Sequence, residues 1–160
     1  MTNQEKIDKI KKFINYLELP YLKPLSEKEI KEKEEALGVE YPEQYREFLR
    51  MYGWLALGED HLGGKEGVKE ALRLQENHPK GFPKNLIPID DNGSGDYYCL
   101  VCGGEDHGKV IFWQHDAPSE ETYPNTPQGK SKDFWVEALD FWTWLLNRLE
   151  FQRQIEEDEL

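Results

Sequence analysis

No apolar run approaches the roughly 18 residues that a bilayer crossing needs, and no charged start leads into a short apolar core with a small-residue cleavage site. A membrane span and a secretory leader are therefore not expected, and the expected location is cytoplasmic. There are two cysteines, Cys99 and Cys102, too few and too close together for the disulfide framework of a secreted domain. Cations are scarce: 20 Lys and Arg stand against 32 Asp and Glu, for a net charge of -12. Phosphate backbones and anionic lipids are bound through lysine and arginine, so nucleic acid and membrane are poor expectations as partners. P-loop, dinucleotide-binding, HExxH and GxSxG patterns are all missing.

What the chain does have is aromatic bulk. Phe, Trp and Tyr number 7, 5 and 8, enough to supply large core pieces despite the charge. A 160-residue chain buries roughly 70% of its unfolded surface, so one globular domain is expected over residues 1–155, with residues 156–160 as an acidic tail.

Thr2 with Glu5 and Ser26 with Glu29 spell two capping boxes, in which the hydroxyl takes an orphan amide of the first turn and the glutamate reaches back. Ile7, Ile10, Phe13, Ile14 and Leu17 form the stripe of a first helix that ends before Pro20. Leu25 and Ile30 sit at staple positions of a second. Ile30, Glu34 and Leu37 track one of its faces, and Gly38 supplies a left-handed stop. Pro42 pushes Tyr41 out of the helical region and opens a third helix, with Tyr45, Phe48, Leu49 and Tyr52 at helical spacing and Gly53 at its end.

Trp54 to Leu57 reads as a strand or buried turn, residues 58–64 as loop, and residues 65–77 as a modest helix with Val68, Leu72 and Ala71 on one side. Leu86 to Ile89 is a short strand. DDNGSGD is a turn rich in residues that tolerate positive φ. Tyr97 to Cys102 and Lys109 to His115 are expected as a hairpin. In the first of these strands Tyr97, Cys99 and Val101 alternate with Tyr98, Leu100 and Cys102, so the strand carries apolar groups on both faces and is expected to be central and doubly covered. Asp133 to Glu137 alternates as a last strand, with Phe134 and Val136 on one face. Asp140 then caps a terminal helix whose stripe is Trp142, Leu145, Leu146 and Leu149, widened by Phe141 and Trp144, before Glu156 to Glu159 frays into water.

The helix ending LGVEYPEQYREFLRMYG, with Leu37, Gly38, Pro42, Tyr45, Phe48, Leu49 and Gly53 in place, resembles the N-terminal signature of the SUKH superfamily. That SMI/KNR-type group contains a fungal regulator of cell-wall glucan synthesis and many bacterial immunity proteins. Further blocks match at Gly95 to Leu100, at Val110, Phe112, Trp113, His115 and Asp116, and at Asp140, Phe141, Trp144 and Leu145. The resemblance implies an α+β domain, with N-terminal helices and a C-terminal helix on a mainly antiparallel sheet of about five strands. Two departures stand out: Val101 replaces an aspartate common in relatives, and Pro118 to Lys132 aligns to nothing.

Three constellations invite chemistry. CxxC at Cys99 and Cys102 lacks the second pair of a zinc ribbon, and odd spacing in a strand sends the two sulfurs to opposite faces. Asp90, Asn92, Ser94 and Gly95 imitate half of a calcium loop, but its twelfth position is Val101, where a bidentate glutamate is required. His61, His78, His107 and His115 are scattered, and His115 beside Asp116 lacks the positioned partners of acid-base catalysis. Trp54, Trp113 and Trp135 read as core sooner than as a ligand groove. No cofactor or metal is expected.

Negative charge concentrates late: residues 90–125 carry eight acidic groups against Lys109 alone. Acidic loops around a rigid sheet suit a surface that imitates phosphates, and basic proteins are steered to it. The resemblance implies a non-enzymatic immunity protein that neutralises a basic toxin, in the first place a nuclease, and the acidic loops point to Asp90, Asp91, Asp96, Glu105, Asp106 and Asp116, with His115, as the partner-binding residues. The alternatives are a regulatory scaffold of the cell-wall type and a small ligand-binding enzyme at the His115 and Asp116 edge.

Overall fold

In the computed structural model of the chain, the residues described are 1–21, 23–53, 55–57, 60–62, 67–77, 82–114 and 136–158. The strand Tyr97–Val101 decides the architecture, because its alternation feeds two different cores. Leu100 and the following Cys102 enter a large cluster with the N-terminal and C-terminal helices, and Tyr98 packs against it. Cys99 and Val101 enter a second cluster with Leu74, Phe82, Leu86, Ile111 and Trp113, with Tyr97 at its margin. Both faces of this strand are covered, as the pattern of its side chains requires.

In chain order the elements are α1 (Asn3–Leu17), α2 (Glu27–Leu37), α3 (Glu43–Met51), β1 (Leu55–Leu57), β2 (Asp60–Leu62), α4 (Gly67–Asn77), β3 (Leu86–Asp91), β4 (Tyr97–Val101), β5 (Val110–Trp113), β6 (Val136–Ala138) and α5 (Phe141–Asp158). Strands β3, β4, β5 and β6 form an antiparallel meander in that spatial order. The domain is α+β, with N-terminal helices and a C-terminal helix on a mainly antiparallel sheet, as expected. The five-strand estimate resolves into this four-stranded sheet and a separate two-stranded one. Pro88 lies within β3, where the register slips between Pro88 and Asp90. A strand at the edge of the sheet order, and a bulge within it, is where a residue without an N–H is tolerated.

The helix termini follow the local chemistry. Ser26 and Glu29 complete a reciprocal capping box, Thr2 accepts from the Glu5 amide, and Gly38 ends α2 at φ 67°. Pro42 sits at the N-cap of α3, one position earlier than expected. Asp140 caps α5 by accepting from the Thr143 amide at 2.9 Å, and Gln44 of α3 accepts from the Trp142 amide at 2.9 Å. Helix α1 packs chiefly on α5, and Lys6 reaches Asp140 at 3.4 Å.

Some expectations give way. Residues 60–62 read as loop in the sequence but pair as β2 with β1, Leu55 opposite Leu62. Strands of three residues are too short for a period to register. In α4 Leu72 faces water, while Ala71 and Leu74 turn inward. Helix α5 continues through the acidic residues to Asp158. Strand β6 spans Val136–Ala138, a separate strand before α5, and Phe134 lies outside the described residues.

Glu34 explains why a carboxylate occupies an apolar stripe. It accepts from the Tyr41 amide at 2.7 Å and from Arg46 at 2.8 Å, tying α2 to the start of α3. Across the sheet, Asp90 at the end of β3 meets Arg148 of α5 at 2.9 Å, with the Asp90 side chain only 2% exposed. Arg148 also donates to Gln152 at 3.1 Å. A buried pair of this kind is costly to halve, because the survivor is an uncompensated charge.

Two stability measurements follow. Gly53 holds φ at +69°, and a Cβ there would lie 2.3 Å from the Lys23 carbonyl oxygen, whereas a Cβ on Gly38 meets nothing within 4 Å. Gly53→Ala is expected to cost about 2 kcal/mol or more and Gly38→Ala about 1 kcal/mol, read from urea midpoints. Arg148→Met is expected to cost about 3 kcal/mol, and adding Asp90→Leu to it to recover a large part of that loss.

Candidate functional site

The turn from Asp91 to Asp96 is built from its own side chains. The Asp91 carboxylate accepts from the Gly93 amide at 2.9 Å, and Asn92 Oδ1 accepts from the Ser94 amide at 2.9 Å and the Asp96 amide at 3.3 Å. Asn92 also donates from Nδ2 to Asp96 Oδ2 at 3.0 Å, and Gly93 and Gly95 hold positive φ. Asx hydrogen bonds of this type replace a flexible loop with a set shape. The result is an acidic projection at one end of the sheet, with Asp91 exposed and Asp96 half-buried.

Beside it, the Tyr97 hydroxyl donates to Glu70 Oε1 at 2.7 Å, and Arg73 donates to the same oxygen at 2.6 Å. The Arg73 guanidinium, helped by the Tyr97 hydroxyl against partial burial, holds the Glu70 carboxyl below its ordinary range. Burial, and then the Glu70 acceptor, pushes the Tyr97 phenol up to about 12.

The loop between β4 and β5 lies at the opposite end. Gly103 donates its amide to His107 Nδ1 at 2.6 Å, and Lys109 pairs with Asp106 at 2.6 Å. Gly108 approaches Pro42 at the α2–α3 link, where an added Cβ would be 3.9 Å from the proline. Glu105 is exposed, while Asp106 is buried, its side chain 9% exposed.

The six carboxylates singled out in the sequence therefore do not form one patch. Asp91 and Asp96 occupy one end of β4 and Glu105 the other, separated by a five-residue strand, about 15 Å at 3.3 Å per residue. Asp90 and Asp106 are buried and spent on Arg148 and Lys109. His115 and Asp116 lie outside the described residues, as do His78, Trp54 and Trp135. Trp113 is core, its ring 4.9 Å from that of Phe82. Sequence reasoning missed Glu70, whose signal was its place one turn before Leu74 on α4.

The other constellations resolve structurally. Cys99 and Cys102 sit in different cores, and burial pushes both thiols well above the ordinary range. In the calcium-like turn Asp90 faces Arg148, Asn92 Oδ1 is taken by amides, and Val101 is fully buried. Among the described residues no group of three or more His, Cys, Asp or Glu is placed to hold a metal ion, and no helix is long and apolar enough to cross a membrane.

The Tyr97 phenol titrates above the ordinary value of 10.0, so its hydrogen bond to Glu70 contributes fully below pH 10 and is lost as pH rises toward about 12. In a spectrophotometric titration at high pH, the difference between the wild type and Tyr97→Phe is expected to show one phenol ionising near 12. A midpoint near 10, the ordinary value, would show that the phenol is neither buried nor bonded to Glu70 in solution.

Comparison with known proteins adds two findings. The chain is 26% identical over 145 residues to the SPbeta prophage-derived uncharacterized protein YokK of Bacillus subtilis (strain 168), a match covering 71% of this chain and 69% of that protein. Residues 24–129, from the lead into α2 past the end of β5, match the signature of the SMI1 / KNR4 family (SUKH-1). With the Leu-Gly stop, the Pro42 hinge and the Gly95 to Leu100 strand entry all inside that span, the chain belongs to the SMI1 / KNR4 family (SUKH-1).

Proposed function

We propose that this chain is a non-enzymatic binding module acting as an immunity protein, which captures a basic toxin domain, in the first place a nuclease, in the cytoplasm of the cell that makes it. The observation that carries the reading is the Asp91 to Asp96 turn: carboxylates held in a fixed shape by Asx hydrogen bonds at the end of a doubly covered sheet. A preorganised acidic surface loses little freedom on binding a cationic partner. The net charge of -12 speeds its encounter with such a partner. Family membership and a prophage-derived relative are consistent with this role.

Of the acidic residues, Asp91 and Asp96 are the proposed contact groups, and Glu105 at the far end is a separate, secondary one. Asp116 and His115 follow Trp113 closely in sequence and belong to the same proposal. Asp90 and Asp106 act through the scaffold, since their carboxylates are buried.

The test uses the purified chain and the toxin domain encoded beside its gene. Asp91→Asn with Asp96→Asn removes two charges while leaving acceptors for the Gly93 amide and the Asn92 side chain. Association is expected to slow about tenfold at low salt, with a shallower dependence on ionic strength, and Glu105→Gln to change it far less. Unchanged rates and an unchanged salt slope in the double variant would remove this surface from the interface.

A further inference from the structure

Lysines recur at every third position along α1, at Lys6, Lys9 and Lys12, and the fold treats them differently. Lys6 reaches Asp140 at the start of α5, whereas Lys9 and Lys12 are exposed and have no ion-pair partner among the described residues. Asp8, next to Lys9 in sequence, accepts instead from Gln4 at 2.9 Å. Helix α5 runs alongside α1 in the same direction, since the Arg153 guanidinium stands 5.7 Å over the Phe13 ring further along. The α5 carboxylates nearby are already matched: Arg153 pairs with Glu150 and Glu157.

Between the two helices is an open groove of about 570 Å³. Phe13 and Leu146 form its floor, both partly buried against the main core, and Tyr16 stands at its rim, 66% exposed. The lining carries three cations against two carboxylates. Both carboxylates lean on Arg153, which leaves the α1 wall, with Lys9 and Lys12, as the cationic side open to a ligand. At physiological ionic strength fields fade over about 8 Å, so these side chains, and not the chain's total of -12, set the sign that a ligand in the groove meets.

We infer that this groove is a docking site for an acidic amphipathic helix of another protein, a partner distinct from the basic toxin domain proposed for the Asp91 to Asp96 turn. The apolar stripe of that helix lies on Phe13, Leu146 and Tyr16, and its carboxylates meet Lys9 and Lys12. A helix suits a trough between two parallel helices because it satisfies its own backbone and needs only side-chain contacts. From Leu146 to Glu157 the α5 wall is about 16 Å long at 1.5 Å per residue, which a helix of about three turns spans. Lys9 and Lys12 lie about one turn apart, so carboxylates at a matching spacing on the partner reach both. A basic helix meets repulsion here, and a second copy of this face would set lysine against lysine. The contact covers on the order of 400 Å² on each side, about half of a standard interface, so its affinity is modest and falls with salt.

The experiment is fluorescence anisotropy with the full chain and a fluorescein-labelled peptide of about 14 residues, with Leu at helical spacing and Glu at the flanking positions. Its counterpart carries Lys in place of every Glu. The acidic peptide is expected to bind at low ionic strength with Kd on the order of 10 to 100 µM. Lys9→Glu with Lys12→Glu should weaken that binding about tenfold or more. Lys11→Glu with Lys31→Glu makes the same change in net charge at exposed positions off the groove, and should leave the affinity within about twofold. Tyr16→Ser probes the apolar rim and should weaken binding about threefold. Circular dichroism confirms the folding of each variant. Absence of binding up to about 1 mM, or equally tight binding of the lysine counterpart, would overturn the inference, as would indifference to the Lys9 and Lys12 pair. A dimer in sedimentation velocity that Lys9→Glu with Lys12→Glu abolishes would give the groove to a second copy and overturn it as well.

Discussion

Everything in this fold depends on β4 having no face left for water. Cys99, Leu100 and Val101 are each fully buried in succession, which a strand achieves only if separate layers cover its two sides. One layer is the helical cluster of α1, α3 and α5; the other gathers Leu74 of α4, Phe82 and Trp113. With both faces of β4 occupied, the exposed groups next to it in the chain lie on the connections at its two ends. The acidic turn at one end and the His107 loop at the other are thus products of the same packing requirement.

Charge in this molecule divides into two kinds with different work. Carboxylates such as Glu34, Asp90 and Asp106 are turned inward and spent on Arg46, Arg148 and Lys109, where they fix how helices and strands meet. Asp91 and Glu105 remain at the surface. A net charge is silent about this division, and only the second kind can steer a partner. The inward group spends much of its Coulomb energy on desolvation, so its value lies in fixing geometry more than in adding stability.

Much of the scaffold was legible in the residues. The capping box at Ser26, the Thr2 side-chain cap, the Gly38 stop and the stripes of α1, α3 and α5 are local rules that each element obeys by itself. The alternation from Tyr97 to Cys102 announced two cores because strand geometry leaves no other arrangement. Pairing at a distance was hidden: Asp90 and Arg148 lie 58 residues apart, and nothing near Asp90 distinguishes it from exposed Asp91. The separation of Asp91 from Glu105 was in principle deducible, since successive connections of an antiparallel meander fall at alternate ends. Composition groups the acidic residues as one set, and only the topology divides them.

The contact between α1 and α5 has a further consequence for synthesis. Lys6 and Asp140 are 134 residues apart, and α1 packs chiefly on the helix that Asp140 caps. During translation the stripe of Ile7, Ile10 and Ile14 emerges well before the helix that Asp140 caps, and stays uncovered until that helix follows. Over that interval the nascent chain carries an uncovered amphipathic stripe, and the charged residues on the other side of the same segment, Lys9 and Lys12 among them, are the ones that stay exposed in the finished fold.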